Sequence, residues 1–435
     1  MLRTPRLGLF FAVAAFSADT TESVTFNKDV LPVLQKNCQT CHRPGEVAPM
    51  PLLTYTEARP WAKAIKAAVL TRKMPPWFAD PAVNHFSNDR SMRESDRKIL
   101  AAWADAGAPE GNVKDAPPPV KFAEGWEIGK PDIVVEMPED VQIPATGIVR
   151  NQGILVKVNF PKDIWVQAAE IRPSNRAVVH HMKAWVVYPK KDAPAAPPPP
   201  EAQPQAGGRG ARPGMGPEGG AREILAKYNP GLDGQNFTVG DAAKFIPAGS
   251  DIYFETHYTT NGTATTDRTK VGIVLAKNPP NRRFFTSGAL TNLNFTIPAG
   301  NPNYEVRTEI PVEDNVELTW IQPHMHMRGK DFEVRILYPT GETQTVLKVN
   351  GYNFNWQVGY EFAKPVVIPK GSKMLSIAHF DNSANNPFNP DPKRDVPFGS
   401  QTTDEMSVGF FSVVVNKTTD LTKLFGKASG INIYE

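Results

Sequence analysis

The sequence has 435 residues, room for two to four domains at roughly 100–200 residues each. Lys+Arg 48 against Asp+Glu 45 leave a net charge of +3, which excludes the broad basic footprint of a nucleic-acid binder. The 42 prolines are about twice the usual share of roughly 5%, and proline has no amide donor, so a mostly helical chain is excluded as well.

In chain order, Arg3 and Arg6 precede the apolar run Leu7–Phe16, and small residues follow that could end in a cleavage near Ser17. This is the layout of a secretory signal over 1–17, with a buried N-terminal strand as the other reading, and it places the mature protein in the periplasm or outside the cell. Nothing later is long and apolar enough to span a bilayer. The only cysteines, Cys38 and Cys41, share one motif, so no thiol is left for a disulfide.

Residues 24–112 read as helical. Thr56 could cap a segment in which Trp61, Ile65 and Val69 recur every four residues. Ser91 and Glu94 suit a capping box ahead of Ile99, Leu100 and Trp103, with Gly107 and Pro109 as the stop. A proline-rich linker over 113–130 follows. Within the helical part, Cys38-Gln39-Thr40-Cys41-His42 is a C-x-x-C-H sequence, the attachment signature of a covalent c-type haem: two thioethers to the haem and an adjacent His for the iron. A thioredoxin-like site would need a preceding βαβ pattern, and a zinc site a second Cys/His pair; neither is legible. Met74, in Arg72-Lys73-Met74-Pro75-Pro76-Trp77, is the favoured sixth ligand, with His85 and Met50 as alternatives. This part resembles bacterial class I-like cytochrome c domains, in the CxxCH, the MPPW loop and the AAWADAGAPEG ending.

From about 131 the pattern changes to short β-branched and aromatic runs such as DIVVEM, VVHHMKAWVVY, SDIYFETHY, NVELTWI and GFFSVVV, with Gly, Pro or Asn between most of them. Such runs predict two all-β sandwiches, 131–278 and 279–435. The Pro/Gly-rich stretch 189–223 has no aromatic residue and reads as a disordered insertion between two strands.

Five of the eight histidines fall in three motifs of this part: Val179-His180-His181-Met182, Thr256-His257-Tyr258 and His324-Met325-His326. Neighbouring strand residues face opposite ways, so His180 and His181 can share a metal only at a bulge or a strand end. The i,i+2 spacing of His324 and His326 puts both rings on one strand face. Imidazole alone does not name the metal; a thioether, offered by Met406 in Asp404-Glu405-Met406, favours Cu(I). His379 and His85 have no partner at metal-like spacing and read as structural.

Taken together, IRPSNRAVVHHM, THY, PHMHMRGK and DEM resemble the copper type II, ascorbate-dependent monooxygenases, the peptidylglycine α-hydroxylating and dopamine β-monooxygenase family, over about 131–435. The resemblance implies two sandwiches facing across a water-filled cleft. It implies an electron-transfer copper on His180, His181 and His257, and a catalytic, O2-binding copper on His324, His326 and Met406. It also implies an Arg, an Asn and a Tyr that clamp a substrate carboxylate, but Gln322, Val408 and Phe410 stand at those positions. The expectation is therefore an exported monooxygenase with two coppers and one haem, acting with O2 on a small or apolar substrate. Its electrons would come from ascorbate or a redox protein and pass through the haem. The competing expectations are a non-catalytic copper-binding or electron-transfer protein and a structural or sensor component of a periplasmic redox assembly.

Overall fold

The computed structural model describes residues 23–123, 125–149, 151–189, 222–231 and 234–431. The signal segment and residues 190–221 of the proposed insertion lie outside the described residues. The chain is mostly β-sheet with a few short helices.

Helices Leu31–Asn37, Tyr55–Ala58, Ala62–Leu70 and Glu94–Asp105 pack around Phe26, Leu34, Ile65, Val69, Leu100 and Trp103. Trp103 is fully buried, and its indole N–H donates to the Pro109 carbonyl at 3.0 Å, which satisfies the ring's one polar atom. The caps differ in place from those expected. Thr54, and not Thr56, closes a capping box with Glu57, since its side chain stands before the first helical residue and Glu57 at the third. The last helix starts at Glu94 behind Arg93 without a side-chain cap, so the Ser91–Glu94 box does not form. Gly107, at φ +81°, follows its end as expected. The proline-rich segment is tied back: Gln35 Nε2 donates to the Pro118 carbonyl at 2.9 Å.

Two β layers follow. A four-stranded sheet runs Gln152–Val156, Asp251–Tyr258, Val179–Val187, Arg222–Tyr228, and a five-stranded sheet runs Thr343–Val349, Gly329–Leu337, Lys373–Phe380, Tyr304–Pro311, Ser429–Ile431. A nine-stranded sheet backs both. Its first strands share a core with the four-stranded sheet through Val166, Ile171, Met182, Leu225 and Phe254. Its last strands share another with the five-stranded sheet through Val306, Leu318, Ile336, Phe380 and Phe411. Both layers are consistent with β-sandwich packing. The strands flanking residues 190–221 pair with each other, Val187 opposite Arg222, and the second begins inside the expected insertion, at Arg222.

The two β halves are joined by strand pairing. The strands Ala242–Ile246 and Arg282–Asn292 pair in parallel, Arg282 opposite Ala242 and Arg283 opposite Ala243, so one sheet runs through both halves. At this seam the buried Glu223 takes Lys244 Nζ at 2.9 Å, Arg283 at 3.2 Å and the Tyr188 hydroxyl at 2.9 Å. Several donors on one carboxylate compensate its burial. Trp185, Ile224, Val408 and Phe410 form a small apolar cluster across the same boundary.

The helical part touches both halves. Ala79 and Phe86 make isolated bridges to Val349 and Phe362, and Trp77 and Phe86 pack their rings on Tyr360 at 5.0 and 5.4 Å. On the first half, the Glu46 carboxylate pairs with Arg176.

Candidate metal centre

The five histidines of the three motifs converge. His180 and His181 share a side because the ladder slips between them: Val179 lies opposite Tyr258 and His181 opposite His257, leaving His180 as the extra residue of a bulge. Ring centroids lie 5.2 Å apart for His180–His181, 5.0 Å for His180–His257 and 4.9 Å for His181–His257. One nitrogen from each falls within 4.8 Å of the others, spacing that suits three ligands of one ion, and no other such group of three occurs among the described residues. His324 ends the strand Val316–His324, while His326 lies just beyond it, so the two share a strand face only in part; their rings are 5.3 Å apart.

The two groups are neighbours. His181 and His324 have ring centroids 5.8 Å apart, and Phe354, from the second half, stacks on His180 at 4.7 Å. His181, His257, His324, His326 and Met406 line one cavity of about 170 Å³. Val408 and Phe410 form its apolar wall, and Lys183, paired with Glu255 at 2.8 Å, stands opposite.

The donor set fits metal ions. His181 Nε2 and His257 Nδ1 lie 3.2 Å apart and bond each other, while His181 Nδ1 and both ring nitrogens of His180 are buried without a side-chain partner, a state that costs free energy unless something else accepts their lone pairs. Burial, reinforced by repulsion from neighbouring rings and lysines, holds the imidazoles neutral. It takes His180 down to about 3, His257 and His326 to about 4, and His181 and His324 well below the usual value. Neutral imidazole is the ligating form.

Three residues fix the second pair. His324 Nδ1 bonds Gln357 Oε1 at 2.7 Å and His326 Nδ1 bonds the Asp404 carbonyl at 3.1 Å, which leaves each Nε2 for a metal. Glu405, wholly buried, accepts the amides of His326 at 2.8 Å, Arg328 at 2.6 Å and Met406 at 3.3 Å. Burial nevertheless pushes its carboxyl up to about 8. Arg328 is buried beside it, bonded to Asn382 and to the Thr403 carbonyl. Glu405 and Arg328 lie inside the motifs DEM and PHMHMRGK, so their presence was legible and their task was not. Gln357 carried no sequence signal.

Gln322 does not face the cavity's ligands. It is buried, accepts from Lys227 Nζ at 2.9 Å and donates to the Gln357 carbonyl at 2.6 Å. His379 is held between Asp331 at 2.6 Å and Glu305 at 3.2 Å on the five-stranded sheet, in keeping with a structural role. His85 is exposed, and its carbonyl accepts the Ala363 amide.

In the helical part, Cys38 caps the Leu31–Asn37 helix, and the amides of Cys41 and His42 fold back on its carbonyl at 3.1 and 2.9 Å. His42 Nδ1 bonds the Met50 carbonyl at 3.1 Å, which turns Nε2 outward as an axial ligand requires. Burial pushes the Cys38 thiol up to about 12, the opposite of a redox-active thiolate, whereas thioether formation needs no standing thiolate. These residues fit a covalent haem. Met74 follows the Ala62–Leu70 helix, part-buried, its amide on the Ala68 carbonyl. The MPPW loop has a second task that the sequence did not disclose, the seating of Trp77 on the β part. Cys41 lies against that part as well: a Cβ at Gly231 would come within 3.2 Å of its Sγ.

No family model matches the chain, and no curated protein matches it. Matching solved structures include that of the infectious bursal disease virus Gx strain, 11% identical over 69% of this chain and 78% of that one, with a TM-score of 0.21. The T=1 particle derived from infectious bursal virus is 12% identical over 69% and 75%, with a TM-score of 0.18. Likenesses at this level carry no argument about function.

Proposed function

We propose that the chain is an exported copper monooxygenase with a c-type haem in its helical part, the haem passing electrons to the copper centre. The observation that carries this reading is the convergence of four neutral, buried histidines and Met406 on one cavity, with His180 packed against two of them and both of its ring nitrogens without a side-chain partner. His180, His181 and His257 would hold one copper, and His324, His326 and Met406 the other. Cys38, Cys41 and His42 would hold the haem, with Met74 as sixth ligand. Bound copper supplies one-electron storage and O2 chemistry, and haem supplies electrons singly.

The chain's own residues set the conditions. The mixed imidazole and thioether donors suit Cu(I) at the second site, and imidazoles alone suit the first. Glu405 and Gln357 fix the rings of the second pair, so its ligands need little reorganisation on binding. A carrier site is closed around its ion, whereas here an adjoining space of about 170 Å³ can admit O2 and a small molecule. Val408 and Phe410 make its wall apolar, and Lys183 is already neutralised by Glu255, so a small neutral C–H substrate fits better than a peptide carboxylate. Cys41 lies close to the turn at Gly231, which follows the strand Arg222–Tyr228, the neighbour of the one that bears His180 and His181; this nearness supports a short route from a haem held at Cys41.

Stopped-flow haem absorbance tests the coupling. Reduced haem should be reoxidised by O2 much faster in copper-loaded than in copper-free protein, and glycine-extended peptides should not accelerate it. Equal rates in the two forms would remove the proposed electron route.

A further inference from the structure

Three lysines are buried near the seam between the β halves, and two have carboxylates. Lys244 bonds Glu223 at 2.9 Å and Lys183 bonds Glu255 at 2.8 Å. Lys227 is only 3% exposed, yet among the described residues no carboxylate lies within ion-pair distance of it. Its Nζ donates to Gln322 Oε1 at 2.9 Å and otherwise faces the rings of Phe410 at 3.8 Å and Trp320 at 4.4 Å. Glu255 attracts it only from farther away, and burial lowers its proton affinity well below that of a free lysine. A buried ammonium without a counter-ion is costly, and the cost falls when an anion arrives beside it.

Lys227 lines a second cavity, of about 280 Å³, which none of the five clustered histidines lines. Phe237, Phe284, Trp320 and Phe362 supply apolar walls, and Thr319 and Ser412 add a few polar atoms. The residues come from both β halves, with Ser87 from the helical part, so the pocket sits where all three meet. An apolar space lined by one buried amine, whose charged form has no carboxylate partner and would be favoured by an arriving anion, has the chemistry of a site for an amphipathic anion.

We propose that this cavity binds a small amphipathic carboxylate, its head on Lys227 and its hydrocarbon among the four aromatic rings. The site is separate from the histidine cavity, so its failure would leave the copper reading standing. One end of it is nonetheless linked to the histidines, because Gln322, the partner of Lys227, donates to the Gln357 carbonyl and Gln357 Oε1 holds His324.

Calorimetric titration of the full-length, metal-free protein with octanoate, and with octan-1-ol as the uncharged control, tests this. The wild type should bind octanoate at least about tenfold more tightly than octanol, the size of one charge-assisted contact. Lys227→Met should erase that preference and change octanol binding little. Ala363→Trp, at an exposed position on the rim, should block both ligands without disturbing the core. Absence of octanoate binding, equal affinity for the two ligands, or an unchanged octanoate preference in Lys227→Met overturns the proposal. Should Lys227→Met fail to fold, undiminished octanoate binding by Ala363→Trp overturns it equally.

Discussion

Glu405 shows what a single residue does for the centre. Its carboxylate gathers the amides of His326, Arg328 and Met406, so two proposed ligands hang from one buried group. Truncation would leave three buried amides without an acceptor. Glu405→Ala should therefore cost about 3 kcal/mol in urea unfolding. A loss below about 1 kcal/mol would show that water replaces the carboxylate and that it is not what positions the ligands. The histidine motifs were readable at this scale because each has a spacing with geometric meaning. The bulge demanded by adjacent His180 and His181 is present. Glu405, Gln357 and Lys227 were not readable as partners, since each acts through residues about 30 to 100 positions away that only the sheet pairing brings near.

At the level of elements, most strands were legible from their composition, among them Ile164–Arg172, Val179–Val187 and Ser407–Asn416. The helix caps were less so, because Thr54 and Thr56 are chemically equal and only the position of Glu57 chooses between them. The segment after Met74 illustrates a different limit. Met-Pro-Pro-Trp reads as a ligand loop, yet the stretch that follows it is an arm, with Ser87 donating its amide to the Glu361 carbonyl at 2.8 Å and Asp80 to that of Lys348 at 2.8 Å. Ring packing of Trp77 and Phe86 holds this arm to the β part. Replacing both by Ala should release it while leaving the Phe26–Trp103 core intact. Limited proteolysis should then cut within 113–130 several times faster, and unchanged cutting would place the hold between the parts elsewhere.

Across the whole molecule, the resemblance implied two sandwiches; the structure adds that one sheet runs through both, beside a cavity lined from both halves where the imidazoles meet. The sequence could not reveal this, because the junction rests on two parallel residue pairs, Arg282–Ala242 and Arg283–Ala243, without a motif of their own. The consequence is a strong pH dependence in the metal-free protein. Each buried histidine has a folded value below the ordinary 6.5, so acid protonates the unfolded chain first and stability is lost as pH falls below about 6.5. Each can contribute up to about 1.4 kcal/mol per pH unit. Glu405 acts in the opposite sense, its raised value adding stability as pH falls from about 8, but it is one group against five. Urea unfolding from pH 6.5 to 5 should show a steep decline that is shallower in His180→Asn; a flat profile would mean that the rings protonate freely in the fold.

No helix among the described residues is long and apolar enough to cross a membrane. The decisive measurement on the purified protein is metal analysis together with EPR of the oxidised form. The account predicts two coppers and one covalently held haem iron per chain. It predicts copper signals broadened by mutual interaction, because the two ligand groups approach to 5.8 Å between the His181 and His324 rings. His257→Ala and His324→Ala should each remove about one copper. Zinc in place of copper, a single copper per chain, or two sharp and independent copper signals would contradict it.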